Sequence, residues 1–103
     1  VPRKKKRVKL TKNTDVNAHL VPRIRERKLG REGNWGQHWS GTRNIEIDPR
    51  QPSRKYLNTL IHELLHMFFP DLNEDTVLLI GDRMEKVIWK KDYRRMLRCK
   101  RNK

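Results

Sequence analysis

The stretch Thr59-Leu60-Ile61-His62-Glu63-Leu64-Leu65-His66-Met67-Phe68-Phe69-Pro70-Asp71-Leu72-Asn73-Glu74 decides how this chain folds. Leu57, Ile61, Leu64, Leu65 and Phe68 recur at the spacing of one helical face. Ser53 after Pro52 offers an N-cap, and Pro70 ends the helix. Asp71-Leu72-Asn73 makes a tight connection, and Asn73 caps a second helix whose Val77, Ile80, Met84, Val87 and Ile88 share a face. Gly81 interrupts that helix at a cost of roughly 1 kcal/mol relative to alanine, which predicts a close approach to the first helix.

Upstream, residues 43–48 (Arg-Asn-Ile-Glu-Ile-Asp) alternate polar and apolar side chains and stop at Pro49, the pattern of a half-buried strand. Residues 30–41 hold four glycines with Trp35, His38 and Trp39 between them, which suits a hairpin or a loop laid over the core. Residues 20–29 fit a strand or a short exposed helix. Val8-Lys9-Leu10-Thr11 reads as a short strand with Asn13-Thr14-Asp15 as a turn behind it. Residues 91–98 read as a basic turn or a third helix. The expected class is α+β: a small antiparallel sheet packed on the motif helix and a second helix, with a basic arm (1–10), a domain (11–90) and a basic tail (91–103).

The chain has 103 residues and a net charge of +14, concentrated at its ends. Residues 1–10 carry +6 and residues 90–103 carry +7, leaving a nearly neutral centre. One small domain is all this length allows, so a multidomain enzyme is excluded for this stretch. Cys99 stands alone, which excludes an internal disulfide framework and a thiolate zinc knuckle or ribbon. No apolar run approaches the roughly 20 residues that span a bilayer, so no membrane partner is expected and the chain reads as soluble and intracellular. The cationic ends suit polyanions, and non-specific nucleic acid through residues 1–10 and 90–103 is the natural partner, with contacts that weaken steeply in salt. Pro2-Arg3-Lys4-Lys5-Lys6-Arg7-Val8 resembles a nuclear localisation signal, which would matter only in a eukaryotic setting.

The chemistry lies in His62-Glu63-Leu64-Leu65-His66, an H-E-x-x-H arrangement. Two imidazoles four residues apart stand about 40° apart around the helix and one turn along it, so both reach one metal ion. Glu63, about 100° round from His62, is placed to take a proton from a water that the metal activates. Two histidines and one carboxylate leave a position for that water, whereas a structural zinc site would want four protein ligands. Glu74 is the first choice for the third ligand, because a short turn folds the second helix back and brings its start near the end of the motif helix. Asp71, Asp75, Glu85 and His38 are alternatives. The group that polarises a substrate carbonyl is open among Tyr93, Arg83, His38 and Tyr56. An extended peptide would align along the strand at residues 45–48.

Ile45-Glu46-Ile47-Asp48-Pro49, then the H-E-x-x-H helix from Thr59, then the run from Phe69 to Val77 resemble small phage and bacterial zinc metallopeptidases of the gluzincin kind. The resemblance covers residues 43–90 and implies a minimal zincin-like domain. It implies zinc held by His62, His66 and Glu74, with Glu63 as general base, acting on a peptide or protein substrate in a bacterial cytoplasm or a phage-associated setting. The competing expectation is a non-catalytic nucleic-acid-associated or virion component, part of a larger assembly, that keeps the zincin scaffold and binds through its cationic ends. Trp35, Trp39 and Trp89 are expected in core or lid packing, Phe68 and Phe69 around the motif helix, Met67 under the metal site, and Cys99 as an incidental tail thiol.

Overall fold

The structure, a computed structural model, describes residues 8–11, 14–30, 34–39 and 41–96, with backbone alone up to residue 15. Five strands and two helices follow in order: β1 (Val8–Thr11), β2 (Thr14–Val16), β3 (Arg23–Glu26), β4 (Gly36–His38), β5 (Asn44–Ile47), α1 (Ser53–Phe68) and α2 (Glu74–Lys90). This is the expected α+β architecture of a small sheet with two helices. Thr14 and Asp15, expected in a turn, instead belong to β2, which pairs antiparallel with β1. Most of the basic arm, the far end of the tail and Cys99 lie outside the described residues.

The sheet order is β3-β5-β4. Its expected antiparallel pairing holds only between β4 and β5; β3 and β5 run parallel, Ile24 beside Ile45 and Glu26 beside Ile47. The connection explains this. The chain leaves β3, passes to the far edge to form β4, and turns back through Gly41, whose φ of 79° favours glycine. β5 then enters between the two earlier strands in the direction of β3.

α1 is a middle layer, so the single apolar face read from its spacing divides in two. Tyr56, Leu60, Leu64, Met67 and Phe68 pack on Ile45 and Ile47 of β5. Leu57, Ile61 and Leu65 meet Val77, Ile80 and Ile88 of α2, with Phe69 and Leu72 of the connection. Met67 is fully buried against the sheet, not under the histidines. On α2 the expected stripe is incomplete, since Met84 and Val87 are exposed.

The helix starts differ from each other. Asn73 caps α2 as expected, its side-chain oxygen accepting from the Thr76 N–H at 2.8 Å. Ser53 does not cap α1: extended Pro52 occupies the cap, and the Ser53 hydroxyl accepts from Arg95 Nε at 3.3 Å. Residues 91–96 form no helix, because Asp92 turns the chain with a left-handed φ of 66°. Arg95 then clasps the turn before α1, donating to the Gln51 carbonyl at 2.9 Å with its guanidinium over the Tyr56 ring.

A buried carboxylate holds the other end of the sheet. Asp48 accepts from the Leu29 and Gly30 N–H groups at 2.8 and 3.1 Å and from the Arg50 side chain at 2.7 Å. The Arg50 guanidinium keeps its carboxyl far below the usual range. Of the core or lid packing expected for the tryptophans, the core setting does not hold for Trp35 and Trp39, which are exposed, and Trp89 lies under the Arg94 guanidinium at 3.5 Å. Aliphatic side chains and Tyr56 fill the buried centre instead. Among the described residues no helix is long and apolar enough to cross a membrane.

Gly81 faces α1 as its position predicts. A Cβ there would sit 3.7 Å from Leu65 Cδ1 and 3.9 Å from Ile61 Cγ2, ordinary contact distances. Gly81→Ala is therefore expected to stabilise the fold by about 1 kcal/mol, read as a higher midpoint in urea unfolding. A lower midpoint would mean that the helices have no room to spare.

Candidate metal centre

Pro70 and the Asn73 cap leave only a short link between the helices, closed by the Leu72 N–H on the Phe69 carbonyl at 3.1 Å. Glu74, the first residue of α2, thereby comes down beside the last turns of α1. Its Oε1 lies 2.9 Å from His66 Nε2 and its Oε2 lies 3.2 Å from His62 Nε2. The two Nε2 atoms are 3.1 Å apart, with the rings edge to face. One ligand atom from each of the three residues falls within 4.8 Å of the others, and no other such group of three exists among the described residues.

The alternatives for the third ligand separate in space. Glu85 is buried in an ion pair with Arg54, and Asp71 and Asp75 stay outside the cluster. His38 lies nearby but turns its Nε2 to the Thr42 carbonyl at 2.8 Å. The donor set of two imidazole nitrogens and one carboxylate oxygen suits a transition metal with an open position. Burial favours the neutral form of His62, outweighing the attraction of Glu74, and neutral imidazole is the form that ligates.

Glu63 lies against Gly36 of β4, borders the same cavity as His66, and is 9% exposed. It makes no hydrogen bond or ion pair among the described residues. Burial pushes its carboxyl up, against the opposing pull of His66. A proton acceptor of raised affinity beside a candidate metal site is what general-base work would need. The open cavity in front of it, about 290 Å³, is lined by His38, Glu63, His66 and Pro70.

Four residues were candidates for carbonyl polarisation, and only His38 borders this cavity. Tyr56 and Tyr93 line a separate one of about 210 Å³ with Trp89, and the Tyr56 hydroxyl donates to Glu26 at 2.6 Å. Arg83 lies on α2 beside Met84 and Val87. The expected peptide track at residues 45–48 is also displaced: β5 has strands on both sides and no pairing edge left. β4 is the edge strand on the α1 side.

Sequence reasoning missed the device that brings β4 there. A Cβ on Gly36 would stand 2.5 Å from Thr59 Cγ2 and 3.2 Å from Glu63 Cγ, so only glycine lets the strand lie on this part of α1. Gln51 ties the same region together, accepting from the Thr59 hydroxyl at 2.9 Å and donating to the Trp35 carbonyl at 3.1 Å. A glycine inside a strand was the available signal. Comparison with protein-family models, with curated proteins and with solved structures gives no match, so the reading of the centre rests on its own geometry.

Proposed function

We propose that the chain is a zinc-dependent peptidase in which His62, His66 and Glu74 hold the metal. The observation that carries this reading is the Glu74 carboxylate meeting both imidazoles of an H-E-x-x-H helix. Zinc held there would polarise a carbonyl and make water a nucleophile near neutral pH. Glu63 accepts the proton that this water gives up and delivers it to the leaving amine. The outer edge of β4, which pairs with no further strand among the described residues, receives an extended stretch of substrate as an added strand, in place of the track first expected on β5. His38, on that strand, lines the same cavity with its Nε2–H held by the Thr42 carbonyl.

The cationic ends, in this reading, bring the enzyme to polyanions. Elemental analysis of the purified protein tests the centre. About one zinc per chain is expected in the wild type, with His66→Ala and Glu74→Ala each weakening it by more than about 100-fold, beyond the loss typical of an outer-shell partner. A folded wild type that takes up no zinc on reconstitution would overturn the reading.

A further inference from the structure

The three-stranded sheet has two faces, and the helices cover one. Ile45 and Ile47 take the covered side with α1. Register places Arg25 and Gln37 opposite Glu46, and Arg23 opposite Asn44, so these side chains share the other face. Gln37 donates to Glu46 at 3.1 Å across it, and Arg27 closes on the same carboxylate at 2.9 Å. Trp39 follows β4 directly, where its carbonyl starts the turn that Thr42 closes, and its side chain is 47% exposed.

The charge of the face is one-sided. All four residues of β3 are exposed, and Arg23 and Arg25 have no ion pair among the described residues. Glu26 does not answer them, because it accepts from the Tyr56 hydroxyl on the helix side. Glu46 is matched by Arg27. Cations therefore line one edge of an open sheet, and an exposed indole follows the end of the strand at the other.

We propose that this open face binds single-stranded nucleic acid, with the backbone phosphates along Arg23 and Arg25 and a base stacked on Trp39. Guanidinium groups meet phosphates with paired donors, and an indole offers a stacking platform that any base can use. A base inside a duplex has no free face for Trp39. Three strands at a spacing of about 4.8 Å make a platform about 10 Å across, the scale of one strand of nucleic acid. The site is distinct from the metal centre and from the cationic ends, and it owes nothing to zinc.

Fluorescence anisotropy on the full chain tests it, using labelled oligo(dT), oligo(U) and a duplex of equal length over a range of salt. The variants are Trp39→Ala and the double change Arg23→Ala with Arg25→Ala, all at exposed positions, with thermal midpoints measured to confirm folding. The cationic ends are present throughout and cancel. Trp39→Ala is expected to weaken oligonucleotide binding by roughly five- to a hundredfold while leaving duplex binding and the salt slope unchanged. The arginine pair is expected to lower the slope of log K against log salt by about 1.4. Comparing oligo(dT) with oligo(U) shows whether DNA or RNA is preferred, and a deficit in either confirms the face. Wild-type affinity and slope in both variants would overturn the proposal, leaving binding to the ends alone. So would an equal loss for single strand and duplex in Trp39→Ala, or tighter binding of polyglutamate that depends on the same residues.

Discussion

Glu63→Gln in the zinc-loaded protein is expected to lower hydrolysis of an unfolded protein substrate such as casein by about 10²–10⁴ while zinc content stays at the wild-type level. The amide keeps the size of the carboxyl but cannot take a proton. The atoms that could hold a metal belong to His62, His66 and Glu74, so metal uptake is expected to be unchanged. Stability adds a second readout. Burial raises the Glu63 carboxyl, which means the fold disfavours its charge. Replacing it with a neutral amide is expected to leave the thermal midpoint equal or higher near neutral pH. A loss of turnover with no loss of stability separates chemistry from folding, whereas an active Glu63→Gln protein would place the base elsewhere.

Gly36→Ala is expected to destabilise the fold by about 1–3 kcal/mol, the usual range for overpacking a tight contact. The new Cβ would meet the Thr59 methyl at 2.5 Å. Thr59 cannot swing aside freely, because its hydroxyl donates to Gln51 and a β-branched side chain in a helix has few rotamers. Adding Thr59→Ser removes the methyl and keeps the hydroxyl, so the double variant is expected to recover most of the loss in urea unfolding. Failure of that rescue would mean the contact with Glu63, not Thr59, sets the spacing of β4 on α1.

What the sequence made legible was local. The helix with its two histidines, the Asn73 cap and the arrival of Glu74 all follow from spacings within one short run of chain. The sheet was less legible, because strand neighbours depend on contacts between distant residues. Alternation in residues 43–48 identified β5 but could not say that β3 and β4 would flank it and remove it as a peptide track. Composition also misled about tryptophan: Trp35 and Trp39 are large and apolar, yet the aliphatic centre is complete without them. Arg95 read as one more tail cation, and only the folded chain shows it bonded to the carbonyl of Gln51.

The possible metal-holding cluster and the enclosure of Glu63 assemble in different ways. His62, His66 and Glu74 meet through a helical hairpin that closes a very short loop, an event with little entropic cost and a fast elementary rate. The enclosure of Glu63 needs β4, which must be recruited from far upstream and held by Gly36, Thr59 and Gln51. Such long-range pairing comes late in folding, since its loop entropy is spent before its contacts form. A nascent chain thus brings His62, His66 and Glu74 together before Glu63 is enclosed, and on the proposed function metal uptake would precede activity.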